Sequence, residues 1–144
     1  MLLIINLYNL EGILFSGYII LESSVASEVE YVDTFECWWN TLDESEQEDI
    51  AAIVGLLEIF GPNLQYPYSS SITTSRYSHM RELRIQHNGR PYRILYAFDP
   101  RRTAILLIGG NKTGHDRWYE KFVPIADKLY QEHLTLLEKE VSHE

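Results

Sequence analysis

The residues that draw the eye first are cations that suit phosphate chemistry. Nine basic residues stand between positions 76 and 117: Arg76, Arg81, Arg84, Arg90, Arg93, Arg101, Arg102, Lys112 and Arg117. Three acids share that stretch, Glu82, Asp99 and Asp116, which leaves it at +6. Arginine offers a planar fork of donors that matches phosphate oxygens. His115 and Tyr119 close the stretch. An unperturbed histidine titrates near pH 6.5, about where an acid or base must work. An RNA strand breaks when a 2′-OH attacks the adjacent phosphorus. Catalysis of that step needs a base for the hydroxyl, an acid for the 5′-oxygen and cations for the charge that builds on phosphorus. It needs no metal. His79, His87, His115, His133 and His143 lack the tight spacing of a ligand set, so neither a metal nor any other cofactor is expected.

Such residues act only if the chain brings them together. Residues 81–87 alternate, with Leu83 and Ile85 on one face and Arg84 and Gln86 on the other. Asn88-Gly89 is a favoured pair for a tight hairpin turn. Tyr92, Ile94, Tyr96 and Phe98 share one face of the returning strand, leaving Arg93 and Leu95 on the other. Arg84 and Arg93 can therefore project from one surface of the sheet. After a turn at residues 99–102, the apolar run 103–108 predicts a strand covered on both faces, ended by Gly109-Gly110. Lys112 follows just past it.

The flanking segments predict helices. Glu28–Tyr31 alternates like a short strand. Asp33 and Thr34 offer an N-cap, and Phe35, Trp38, Trp39 and Leu42 recur at helical spacing. The two tryptophans could be a stacking pair, though helical spacing favours core for at least one. Residues 43–60 predict a second helix with an acidic first turn, stopped by Gly61-Pro62. A polar loop over residues 63–78 leads to the hairpin. A last helix spans about residues 117–140, with Pro124 a point of kinking or interruption. The fold class is α+β: an N-terminal helical hairpin on a small twisted antiparallel sheet, plus a C-terminal helix.

Charge is segregated along the chain. Its net value of −9 conceals that residues 1–75 hold 12 acids and no Lys or Arg. Such asymmetry points to a polyanion partner for the basic half. One cysteine, Cys37, excludes an internal disulfide, and a cytoplasmic location is the default. Residues 1–24 are apolar but lack the charged start of a secretory signal. Asn6, Asn9, Glu11 and Gly12 interrupt them, so the unbroken stretch is too short for a membrane span of about 20 residues. Residues 1–24 are read as a leader left by an upstream start site, with Val25 the favoured start and residues 25–144 one domain. An extra element packed on the domain is the other reading.

The stretch from Arg81 to Asp99 resembles the central hairpin of phage-derived HigB-like toxins in the RelE/HigB superfamily. The strand ending in Gly109-Gly110-Asn111-Lys112 and the aromatic-basic start of the last helix are similar too. The resemblance runs from about Glu28 to Glu138. It implies a RelE-like fold and the toxin part of a type II toxin-antitoxin system. It implies an endoribonuclease, an RNA-binding hydrolase that cuts mRNA, commonly on the ribosome. A cognate helix-turn-helix antitoxin would block it, and no membrane is expected. By the same resemblance Arg93 contacts the scissile phosphate, Lys112 is the basic residue after the last core strand, and Tyr119 stacks on a base or assists proton transfer. His115 is a candidate acid or base. Arg76, Arg81, Arg84 and Arg117 are the expected further RNA or phosphate ligands.

Plainer readings compete. In them Arg93 pairs with a carboxylate such as Glu82, Tyr119 opens the core of its helix, and His115 is an exposed turn residue. The alternative function is a non-cleaving module that binds nucleic acid or inhibits gyrase. A membrane-associated or structural role would depend on the leader. The acidic helices would repel RNA toward the sheet or receive a basic antitoxin segment.

Overall fold

A computed structural model describes residues 26–142. The reading of residues 1–24 as a leader lies outside the described residues. Strand β1 (Val29–Tyr31) is followed by helices α1 (Asp33–Trp39) and α2 (Glu44–Phe60). Strands β2 (Ser69–Ser71), β3 (Arg81–His87), β4 (Arg90–Phe98) and β5 (Ala104–Asn111) come next, and helix α3 (Trp118–Ser142) ends the fold. The strands form one sheet in the order β1-β5-β4-β3-β2.

The sheet is mixed, not purely antiparallel. β1 runs parallel to β5, with Val29 opposite Ala104, while the other pairs are antiparallel. Nor do the first two helices form a self-packed hairpin. α1 packs chiefly on β5 and α2 on β3, so each finds its main partner in the sheet. Asp33 lies inside α1, whose N-cap position is Val32 and carries no capping side chain. α2 instead has a full capping box. Asp43 accepts from the Glu46 N–H, and Glu46 accepts from the Asp43 N–H. At its end Gly61 takes a positive φ of 54°, beside Pro62 in a single 3-10 turn.

The residues between α2 and β3, read as loop, contain β2. Three serines give no apolar period, but pairing with β3 satisfies their backbone (Ser69 opposite Leu83, Ser71 opposite Arg81). The hairpin turn is as its sequence predicts, with Asn88 and Gly89 both at positive φ. α3 continues through Pro124 without a break.

Both faces of the sheet are covered. Leu83, Ile85, Tyr92, Ile94, Tyr96 and Leu106 pack with Phe35, Ile50, Val54 and Leu57 under α1 and α2. Leu95, Ala97, Ile105, Leu107 and Ile108 pack with Trp118, Val123, Ala126 and Tyr130 of α3. Burying one such aliphatic side chain stabilises the fold by about 1.5–3 kcal/mol. A bulge helps set the alternation. Leu95 pairs with Ile108 but Tyr96 with Leu106, so Leu107 is the extra residue. Beyond it the two glycines face opposite layers. A Cβ on Gly109 would overlap the Trp38 ring, and one on Gly110 would come 2.7 Å from Trp118 Nε1.

Candidate functional site

The α3 side of the sheet is apolar at Leu95 and Ala97 but charged at the hairpin end. Arg84 and Arg93 are directly opposed across β3 and β4, and Glu82 lies one pair away on the same face. Lys112 continues the ladder beyond β5, its N–H donating to the Pro91 carbonyl at 2.9 Å. The chain then turns back. The His115 N–H donates to the Lys112 carbonyl, and the Trp118 N–H to that of His115. This reversal seats Tyr119, in the first turn of α3, beside Lys112.

Glu82 is the hub. The Tyr119 hydroxyl donates to its Oε1 at 2.6 Å, and the Ser70 hydroxyl to its Oε2 at 2.7 Å. Arg84 Nη1 lies 3.3 Å from Oε2 and Arg93 Nε 3.4 Å from Oε1. The Lys112 ammonium reaches the Tyr119 hydroxyl at 3.5 Å and lies 4.8 Å from that ring's centroid. Arg93 is only 6% exposed and Glu82 5%. Arg93 Nη1 donates to the Tyr92 carbonyl at 2.9 Å. Its Nε is close enough to Glu82 for ionic attraction but not aligned for a hydrogen bond, so this buried N–H has no acceptor among the described residues. Lys112 and Tyr119 are half-buried, and Arg84's side chain is 27% exposed.

The electrostatics favour an incoming anion. Burial and the neighbouring Arg93 and Arg84 lower the Lys112 pKa, and Glu82 offsets only part of this. Burial and the Glu82 carboxylate raise the Tyr119 pKa, with Arg93 opposing. Tyr119 is thereby kept a phenol, a donor and not a base. Arg84 and Arg93 flank one carboxylate and Lys112 sits beside its tyrosine partner, three cations to one anion, an imbalance that a bound phosphate would correct.

The remaining sequence candidates lie elsewhere. His115 is exposed, its ring 6.2 Å from that of Phe122, in a shallow depression with Trp38, Lys121 and the end of β5. Arg81 points to the opposite face, donating to Ser69 and Ser71 and tying β2 down. Arg76 is exposed beside α3, its N–H held by Asp127 at 3.0 Å. The Arg117 side chain is 82% exposed and pairs with Glu120 at 3.8 Å. Trp38 and Trp39 both pack against Phe35, at 5.7 and 6.3 Å between centroids, and lie half-buried against the core. Among the described residues no group of three or more His, Cys, Asp or Glu could hold a metal ion, and no helix is long and apolar enough to cross a membrane.

From sequence, Glu82 stands only as a partner for Arg93, and Ser70 carries no signal. Alternation along β3 puts Glu82 on the Arg84 face, a signal available without a structure. Nothing in the serines at 69–71 marks a strand.

A family model described as phage-derived protein, Gp49-like, matches residues 37–131. The matched span contains every member of the Glu82 cluster. Over 109 residues the chain is 40% identical to the toxin HigB2 of Mycobacterium tuberculosis, an alignment covering 74% of this chain and 54% of HigB2. Over 94 residues it is 42% identical to the toxin HigB3 of the same organism, covering 65% of this chain and 81% of HigB3. The chain thus spans about half the length of HigB2 and four fifths of HigB3.

Proposed function

The chain belongs to the phage-derived Gp49-like family and is HigB-like, and from that premise we propose that it is the toxin of a type II toxin-antitoxin system, cutting mRNA without a metal. The fold we assign is RelE-like. One observation carries the reading: Arg84 and Arg93 flank a single carboxylate that also holds the Tyr119 hydroxyl at 2.6 Å, and the Lys112 ammonium lies 3.5 Å from that same hydroxyl.

In this reading the scissile phosphate enters at the open edge made by Lys112, Tyr119 and Arg84. Lys112 and Arg84 bind its oxygens, and Arg93 supports the charge from beneath. As the 2′-OH attacks, negative charge grows on the phosphorus oxygens, where fixed cations act most strongly. The single Tyr119 hydroxyl proton, held by Glu82 at rest, turns to the departing 5′-oxygen and leaves with it; the freed Glu82 carboxylate takes the 2′-OH proton, and passing that proton to the phenolate restores the resting pair. His115, whose exposed ring lies by Phe122 and makes no contact with Glu82, Arg93 or Tyr119, is assigned no part in the chemistry. The cell compartment is the cytoplasm, the substrate is mRNA on the ribosome, and a helix-turn-helix antitoxin neutralises the toxin by covering the basic edge.

The test is growth after tightly controlled induction, from Met1 and from Val25, with mapping of mRNA 5′ ends. Wild type is compared with Lys112→Ala and with Arg93→Lys, which keeps a charge opposite Glu82 but loses the fork. Arrest with new 5′ ends, both lost in the variants at equal protein level, is the expected result. A second reading has its own support, because Arg93 is 6% exposed and already faces a carboxylate. A module that binds nucleic acid or gyrase without cutting would give arrest and no new ends.

A further inference from the structure

Beside the charged cluster stands an aromatic side chain that the reading above leaves unused. Tyr66 is 71% exposed. The Arg84 guanidinium carbon lies 5.1 Å from its ring centroid, and the same guanidinium is 3.3 Å from Glu82. Besides the β2–β3 ladder, bonds to Arg84 and Glu82 strap this segment to β3. The Arg84 N–H donates to the Tyr68 carbonyl at 2.9 Å, and Ser70 donates to Glu82 at 2.7 Å. Single exposed aromatics are common on protein surfaces. This one differs in its setting: a ring in water, next to a cation that also touches the phosphate-binding cluster.

We propose that Tyr66 is a stacking platform for the base of a single-stranded RNA nucleotide adjoining the cleaved phosphate, with Arg84 holding the backbone between ring and cluster. The inference rests on the reading of the cluster as an RNA site. Every base has a π face, so an exposed ring binds single strands with little sequence demand. Unstacked bases are what single-stranded recognition of RNA uses. Arginine contributes to such platforms through its attraction to ring faces. A protein partner is the weaker fit, because the ring's neighbour is cationic and its site holds excess positive charge. An aromatic group joined to an anion answers both features.

The probe is a short single-stranded oligonucleotide, 2′-O-methylated to prevent cleavage, with 2-aminopurine placed at successive positions. The full chain is titrated as wild type, Tyr66→Ala, Tyr66→Trp and Lys112→Ala. At one position wild type should quench the fluorescence. Tyr66→Ala should lose that quench and raise Kd by about 5- to 150-fold, while Tyr66→Trp stays near wild type. With an abasic nucleotide at that position, wild type and Tyr66→Ala should bind alike. Tyr66→Ala binding as wild type while Lys112→Ala weakens would overturn the platform and leave the RNA site standing. Equal weakening on intact and abasic strands would also overturn it, since stacking requires a base. Wild type that fails to bind, or binds regardless of Lys112, would remove the RNA reading and the platform together.

Discussion

Two buried carboxylates, Glu82 and Asp99, are built to different ends. The Asp99 side chain is fully enclosed and saturated. Its oxygens accept from the Arg101 Nε and Nη2, the Arg101 and Thr103 N–H groups, and His133 Nε2. Arg101 is shared with Glu30 at 3.0 Å, so one arginine serves two carboxylates. Glu82 is in the reverse position. It accepts from two hydroxyls and from Arg84 Nη1 at 3.3 Å, yet a second guanidinium, Arg93, stands at 3.4 Å without a hydrogen bond and a lysine lies within range to feel its charge. A saturated carboxylate fixes a turn. One outnumbered by cations leaves a field that an outside anion can satisfy. The lesson is that the balance of charge, and not the presence of an ion pair, separates architecture from site.

The sharpest break of this contrast is Asp99→Ala, which strips the turn of its acceptor. It should cost about 3 kcal/mol in denaturant unfolding, with activity per folded molecule retained. Lys112→Ala should do the opposite: an RNA-cleavage rate about 100-fold lower, as for loss of one charge-stabilising donor, and a nearly unchanged melting midpoint. Glu82→Gln removes the lone anion. RNA binding at low salt should tighten and log Kd should depend more steeply on log salt, while cleavage falls. A filter-binding salt series reads both. Looser binding would show that Glu82 is itself only a structural partner.

Asp99 also predicts a pH effect. Burial raises its pKa, but hydrogen bonds from Arg101, His133 and Thr103 outweigh that and hold it below the ordinary 3.8. Its stabilisation is therefore present above pH 3.8 and is lost as pH falls through the lower folded value. Asp99→Asn should flatten the acid limb of the stability profile. The smallest effect belongs to His115→Ala, which should leave cleavage within about twofold. A large loss would draw His115 into the site and blur its boundary.

Much of the site was legible because strands alternate. The Asn88-Gly89 turn and the apolar residues on either side place Arg84 and Arg93 together without a structure. The same alternation assigns Arg81 to the other face, so its inclusion among phosphate ligands followed charge where geometry was readable. The capping box on α2 was written in Asp43 and Glu46. What could not be read is long-range. β2 exists because β3 offers an open edge, β1 lies parallel through a pairing with β5 far along the chain, and Tyr66 meets Arg84 only through the pairing of β2 with β3. The Leu107 bulge sets which glycine meets which tryptophan, and no local pattern announces it.

That glycine pair has an evolutionary consequence. Gly110 lies opposite Arg93 and leaves no room for a methyl group beneath Trp118. Trp118 is the immediate neighbour of Tyr119. One nucleotide change, making alanine of this glycine, would push the tryptophan and carry the phenol away from Lys112. Every charged residue would remain, and a comparison of site residues would still score the gene as intact. Under the proposed function, a lineage escaping the burden of such a protein has a disarming route through a residue with no chemistry of its own.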